Sequence, residues 1–360
     1  MITVAIDFRE ATKSTRAGKG EYVYQLAKAW LAEGFDSEMT LLTQAGQTVT
    51  LPPGRWRQKM VASSGPFWHW QVAMWLRHRP VDVYLSTQSF VIPAISRAVP
   101  VVTTLFDFTA WRYPKTHLSK AVRLEKLLAR RAIRRSAHLL AISEFTKRET
   151  VELFGVAPGK ITVTPMAAGE QFKPLLPDPA ARAKYHLPEK FILYLGTIEP
   201  RKNLSRLIDA FGVVSQQFPD VKLVLAGGVG WQSEPVLARA DDKVIFPGYI
   251  LDRDRPAVYN LATVFVFPSL YEGFGIPPLE AMACGIPTIV SDRASLPEVV
   301  DGAAALVPAE DITALADAMS QLLSSSGMRE TLKQAGIRRA REFSWQQTAR
   351  LTWEAVKRYG

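Results

Sequence analysis

A single cysteine, Cys284, has nothing to pair with, so an internal disulfide framework is excluded and the chain fits a reducing compartment. It stands in an apolar helical run, where a buried small side chain is the ordinary reading and a nucleophile is not. No uninterrupted apolar stretch approaches the roughly 20 residues of a bilayer span. The opening MITVAIDF runs straight into a strand pattern and lacks the basic region and cleavage site of a secretion signal, so a cytoplasmic protein is expected. Histidine is scarce, five in all and scattered, and no His/Cys cluster has ligand spacing. The one Asp-x-Asp, Asp252-Arg253-Asp254, precedes a Pro-containing helix start, where N-capping explains it better than a metal. Neither a metal nor another cofactor is expected.

What is present is enough chain for two cores: 360 residues, 48% of them hydrophobic. The net charge of +10 is unevenly placed. Residues 1–172 carry 23 Lys and Arg against 13 Asp and Glu, and the remainder carries 21 against 21. The first part should therefore meet something anionic, and the second need not.

Strand-like runs at 2–8, 39–43, 59–62, 81–86, 101–105, 138–142 and 161–165 alternate with helical ones. The rhythm repeats with strands at 191–195, 222–226, 244–246, 264–267, 288–290 and 305–307, and helices at 204–217, 255–261, 312–323 and 329–342. Such alternation predicts α/β units, each a doubly wound parallel sheet. The Pro-rich stretch 173–179 is the linker candidate, giving domains 1–172 and 173–344, and a last helix, 345–360, capped by Ser344 and packed back on the first domain. Ligands of open parallel sheets lie at the carboxyl ends of the strands, so two facing sheets would form a cleft with the linker as hinge.

The chemistry concentrates in FPSLYEGFGIPPLEAMACGIPTIVSD, residues 267–292. A strand feeds a glycine turn that opens a helix, which aims backbone N–H groups and a positive dipole end at an anion. Gly273 and Gly275 let a ligand approach the backbone, and two carboxylates, Glu272 and Glu280, bracket the turn. Carboxylates repel phosphate but accept from hydroxyls. A diphosphate flanked by hydroxyls on both sides is a sugar nucleotide; the turn alone is equally compatible with an ordinary helix start. The strand at 191–195 ends in Gly196, followed by Arg201-Lys202-Asn203 near a helix start. There the two cations oppose the helix dipole, so an anion should hold them; Arg and Lys both suit phosphate. Near the amino end, Gly18-Lys19-Gly20 follows the first strand and opens a helix, without dinucleotide or Walker spacing.

Together, Gly196, Arg201-Lys202-Asn203, Gly227-Gly228, Pro247-Gly248 and the Pro268–Gly285 box resemble the retaining nucleotide-sugar glycosyltransferases of the GT-B fold, glycosyltransferase family four, of the mannosyl- and rhamnosyltransferase kind. The likeness is strong over 191–300 and looser before. It implies two Rossmann-like domains facing a cleft. It implies that Glu272 holds sugar hydroxyls and Glu280 the ribose. The backbone of Gly273, Phe274, Gly275 and Ile276 would hold sugar and phosphate, with Gly196 and Leu279 also in the nucleotide site. Arg201 and Lys202 would neutralise the departing diphosphate, Tyr249 and Ile250 would lie near the base, and Gly18 and Gly20 would close over the phosphates. Cations and amides aimed at developing charge lower such a barrier electrostatically. In the stretch 103–114 this chain has Phe106 where the family often has His, which leaves Asp107 to orient the acceptor hydroxyl or take its proton, unless it is a helix-cap aspartate.

Residues 118–136, LSKAVRLEKLLARRAIRRS, place Lys120, Arg123, Lys126, Arg130, Arg131, Arg134 and Arg135 on one helical half, with Leu127 and Glu125 breaking the pattern. That face suits an anionic membrane, the alternative being a helix packed on its sheet with a solvated face. Trp56, Phe67, Trp68, Trp70 and Trp75 would form an interfacial belt, a sugar platform or core. The expected protein is a cytoplasmic hexosyltransferase, peripheral on the inner membrane face. It would move a hexose, first choice mannose from GDP-mannose, to a glycan or polyprenyl-linked acceptor in surface polysaccharide synthesis. A nucleotide-sugar epimerase or a non-catalytic partner subunit would fit the same fold. No nucleic-acid-binding pattern accompanies the positive charge.

Overall fold

The computed structural model describes residues 1–13, 16, 18–113 and 119–360; in the helix Ser119–Arg135 the described side chains are Arg123 and those from Lys126 onward. Ser14, Thr15 and Ala17 of the first glycine loop, Pro114, Leu118, and the side chains of Lys120, Ala121, Val122, Leu124 and Glu125 lie outside the described residues.

The chain forms two compact units, Met1–Met166 with Ser344–Gly360, and Ala167–Phe343. Among the described residues the first unit has seven strands: β1 Ile2–Asp7, β2 Ser37–Gln44, β3 Trp56–Val61, β4 Val83–Ser86, β5 Val101–Leu105, β6 His138–Ala141 and β7 Ile161–Val163. All pair in parallel, in the order β3-β2-β1-β4-β5-β6-β7. The central strands are buried on both faces, which is why they read as unbroken apolar runs. The connections through Gly65–Leu76, Val91–Ile95, Ser119–Arg135 and Glu144–Phe154 all advance the same way along the sheet. Right-handed crossovers therefore put these helices on one face and Lys19–Glu33 on the other.

The terminal helix Trp345–Val356 belongs with Lys19–Glu33. Ser344 caps it by accepting from the Gln347 amide. Trp353 stacks on Phe35 at 5.3 Å and meets Trp30 edge-on at 5.6 Å, and Arg350 pairs with Glu33. On the opposite face Trp68 is wholly buried, whereas Phe67 and Trp70 are 73% and 58% exposed, so the aromatic cluster is split between core and surface. The basic helix buries Ala129, Ala132 and Ile133 and exposes Arg123, Arg130, Arg131 and Arg134; Leu127, which broke the pattern, is 66% exposed.

The second unit has six strands among the described residues: β8 Phe191–Leu195, β9 Lys222–Ala226, β10 Val244–Ile245, β11 Val264–Phe267, β12 Thr288–Ser291 and β13 Ala305–Val307. These too pair in parallel, in the order β10-β9-β8-β11-β12-β13. The division at Met166/Ala167 falls before the Pro-rich stretch, which lies inside the second unit. The side-chain amide of Asn260 fixes it there: its Oδ1 accepts from the Leu175 amide at 2.8 Å and its Nδ2 donates to the Lys173 carbonyl at 3.0 Å. No helix of the described residues is long and apolar enough to cross a membrane.

Candidate active site

Each sheet reverses its winding once, at β1/β4 and at β8/β11. At such a point the loops leaving two neighbouring strands diverge and open a crevice at their carboxyl ends. The loop after β8 carries Arg201 and Lys202, and the loop after β11 carries Glu272. The reversal makes neighbours of residues far apart in the chain: Lys202 Nζ donates to Glu272 Oε1, 70 residues on, at 2.6 Å, and Arg201 lies 3.0 Å from Glu272 Oε2. Arg201 also reaches the Tyr271 carbonyl and Glu199.

Glu272, Lys202 and Arg201 keep only 13%, 10% and 17% of their side-chain surface exposed. Burial by itself raises the Glu272 carboxyl, but the Lys202 ammonium and the Arg201 guanidinium prevail and hold it below the usual range. In the structure the anions beside the cations near the helix start are the protein's own carboxylates. With Glu199 included, the cluster balances two cations against two carboxylates.

Asn203 fixes this loop. Its backbone is left-handed (φ 62°), and its Nδ2 donates to the Pro268 carbonyl at 3.1 Å and the Ala309 carbonyl at 2.7 Å. Leu270 N–H donates to the Arg201 carbonyl at 2.9 Å, stitching the two loops directly. Ser295, wholly buried, steadies the glycine turn through its hydroxyl, which donates to the carbonyls of Glu272 (2.9 Å) and Phe274 (2.7 Å). Sequence reading missed Ser295, which only the fold brings to the site, and Glu199, which stands two residues before Arg201 in the same loop.

Gly275 has φ +108°, a backbone that L side chains rarely adopt, so glycine is required there; a Cβ would also sit 2.7 Å from a terminal methyl of Leu296. It opens the helix Ile276–Ala283, whose next two residues are Pro277 and Pro278. Prolines have no N–H, and Leu279 N–H already donates to the Gly275 carbonyl at 3.4 Å. This helix end can thus offer a ligand the Ile276 amide and little else of its own. Phe274 is buried, edge-on to Phe343 at 5.6 Å. Leu279 and Ile250 point into core, so either would serve a ligand through its backbone.

Glu280 is 3% exposed, pairs with Arg255 and accepts from the Tyr259 hydroxyl at 2.9 Å. Burial, then the Glu280 carboxylate, raises the Tyr259 hydroxyl well above its ordinary value, so it stays a donor. Tyr249 is 44% exposed and donates to Asp252 at 3.2 Å. The capping expected of Asp254 does not occur: its backbone is helical and its side chain makes no cap bond. It holds Lys184 and accepts from the Tyr185 hydroxyl at 2.6 Å. Among the described residues no His, Cys, Asp and Glu cluster suits a metal ion. Gly196 closes β8 against the Tyr194 hydroxyl, 2.7 Å from where a Cβ would lie.

In the first unit, Gly20 is pinned because a Cβ would meet the Glu10 carbonyl at 2.7 Å, while Gly18 (φ +49°) has open space. A hollow at the carboxyl ends of its strands is lined by Lys19, Gln88, Ser89, Thr104, Phe106 and Asp107. Phe106 packs edge-on against Tyr22 at 5.0 Å, with the Lys19 ammonium 5.6 Å from its ring. Asp107, exposed, accepts from Thr109 N–H at 2.9 Å just before the short helix Thr109–Arg112, whose N-cap is Phe108, and the same side chain lines the hollow.

Residues 179–339 match the family model for glycosyl transferases group 1, and residues 17–167 match that for glycosyltransferase family 4. The chain is 30% identical over 314 residues to O-antigen chain mannosyltransferase B of Escherichia coli, covering 84% of this chain and 81% of that protein. It belongs to the family-four glycosyltransferases of the GT-B fold. Serotype-specific mannosyltransferase WbdA of Escherichia coli is 36% identical over 241 residues, 62% of this chain but only 29% of that longer protein. Sucrose-phosphate synthase of Thermosynechococcus elongatus has the same fold, with a TM-score of 0.81 at 21% identity over 99% of each chain. This family-four chain is therefore a glycosyltransferase enzyme, and its two parallel-sheet units are those of GT-B proteins.

Proposed function

We propose that the enzyme transfers mannose from GDP-mannose, with retention and without a metal, to a growing glycan on a lipid carrier in surface polysaccharide synthesis. The observation that carries this is the Arg201–Lys202–Glu272 cluster at the β8/β11 reversal. Two cations and a carboxylate that neutralise one another can divide their work when a donor binds. The cations turn to the diphosphate, where leaving-group charge builds up. Glu272, held ionised, accepts from sugar hydroxyls. Glu280 is fixed by Arg255 and Tyr259 to accept from ribose. The choice of mannose is supported by the names of the two Escherichia coli relatives.

Asp107, exposed in its hollow, is the group assigned to orient the acceptor hydroxyl. The exposed cations of Ser119–Arg135 suit an anionic membrane carrying that acceptor. Thermal shifts with GDP, UDP and dTDP, followed by turnover with GDP-mannose, test the donor. Stabilisation by GDP alone with mannosyl transfer is expected; stabilisation by UDP or dTDP but not GDP would overturn it. Arg130→Glu with Arg134→Glu should release the enzyme from anionic vesicles, and undiminished association would remove that face from the reading.

A further inference from the structure

Away from the reaction site, the first unit has an open hollow of about 740 Å³. Asp82, Pro100 and Ala137 in its lining stand just before β4, β5 and β6, so it lies at the amino ends of these strands, opposite Gly20 and Asp107. Three arginines line it, one from each of three successive crossovers on one face of the sheet. Arg79 follows the helix Gly65–Leu76, in a left-handed turn (φ 50°) whose N–H donates to the Leu76 carbonyl at 2.9 Å. Arg97 follows Val91–Ile95, and Arg135 ends Ser119–Arg135.

Among the described residues neither the Arg79 nor the Arg97 side chain has a hydrogen-bond or ion-pair partner, and Arg135 is tied only to the Ala94 carbonyl. Arg131 donates to that same carbonyl at 2.7 Å, crowding a further guanidinium alongside. Two carboxylates share the lining: Asp82, whose Oδ2 accepts from Thr3 N–H at 2.8 Å and the Thr3 hydroxyl at 2.7 Å, and that of Gly360. Partial loss of water, then the charges of Arg131 and Arg97, push the Arg135 guanidinium below its ordinary value. The three guanidinium groups outnumber the carboxylates of Asp82 and Gly360 in the lining, and guanidinium forks match the oxygens of a tetrahedral oxyanion.

We propose that this hollow is a second anion site, binding a phosphate group among Arg79, Arg97 and Arg135, either free phosphate or the headgroup of an anionic lipid. It does not depend on the donor or the reaction assigned above.

The test compares wild type with Arg79→Ser/Arg97→Ser, which removes two side chains that hold nothing in the fold. Arg338→Ser/Arg341→Ser, in the second unit, removes equal charge as a control. One arm follows melting temperature in sodium phosphate against sodium chloride of equal ionic strength. The other measures sedimentation with vesicles of equimolar phosphatidylglycerol and phosphatidylcholine. The first double variant should lose about tenfold in affinity in at least one arm, while the control keeps wild-type values. Loss in the phosphate arm identifies a site for free phosphate, and loss with vesicles alone a headgroup site. If the variant matches wild type in both arms, or the control loses as much, the hollow is no anion site.

Discussion

Lys202 Nζ lies 2.6 Å from Glu272 Oε1 because the strand order reverses between β8 and β11, not because the two residues are close in the chain. Each is the other's main compensation for leaving water. Glu272→Ala removes one side of a largely buried pair, which costs about 2–4 kcal/mol, somewhat less than a fully buried pair because the site is partly open. Chemical denaturation should show that loss. Assayed well below its melting temperature, the variant should lose at least about a hundredfold in turnover with a much smaller change in donor affinity, the pattern of an interaction strengthened in the transition state. Turnover within a few-fold of wild type would remove Glu272 from the reacting centre.

Arg201 is shared between Glu272 and Glu199, so the cluster by itself presents little net positive charge to a diphosphate. Glu199→Gln should therefore tighten nucleoside diphosphate binding, by about three- to tenfold, since it frees a guanidinium without moving it far. Arg201→Ala should weaken the same binding by about tenfold or more. Isothermal titration with the free diphosphate reads both. If the two variants shift affinity in the same direction, Arg201 is not the group that meets the phosphate.

The sequence showed the α/β rhythm and the positions of the strands because parallel strands buried on both faces are written as short apolar runs, as in β11, Val264–Phe267. The glycine turn, Arg201-Lys202 and the two glutamates were also visible, since each is a local pattern. What stayed hidden was long-range. That Glu272 neutralises Lys202, that Asn203 reaches the Pro268 and Ala309 carbonyls, and that Ser295 props the turn all follow from strand order, which no local window encodes. The domain boundary was misplaced for a related cause: prolines mark a break in regular structure, but the Asn260 side chain draws the 173–179 stretch into the second unit. Asp254 failed as a cap because Lys184 and Tyr185 compete for the same carboxylate.

The depressed Glu272 carboxyl makes stability depend on pH with a definite sign. Its folded value lies below the ordinary 4.5. The stability it contributes is then fully present above that ordinary value and drains away as pH falls through the folded one. Asp82, held by Thr3 donors, and Asp254, held by Lys184, are depressed too and add to the wild-type slope. The difference between wild type and Glu272→Gln isolates Glu272. Urea midpoints measured from about pH 7 to about pH 3 should converge as the solution becomes acid, because protonated Glu and Gln are both neutral. A gap that widens toward low pH would contradict the assignment.

Asn203 separates two contributions to the same loop. Its left-handed backbone is unfavourable for most residues, by roughly 1–2 kcal/mol, and its amide holds two buried carbonyls. Asn203→Gly keeps the backbone conformation and loses the bonds, so it should cost about 1–3 kcal/mol. Asn203→Ala loses the bonds and adds the strain, so it should cost more, by about 1 kcal/mol. Both free the loop that carries Arg201 and Lys202, and both should weaken nucleoside diphosphate binding to a similar degree, since the bonds to Pro268 and Ala309 are what set the register of that loop against β11. Equal stabilities for the two variants would mean that the loop relaxes out of the left-handed region once the amide is gone. Unchanged diphosphate binding in both would mean that Arg201 and Lys202 are placed without the Asn203 bonds, by Glu272, Glu199 and the Leu270–Arg201 backbone bond.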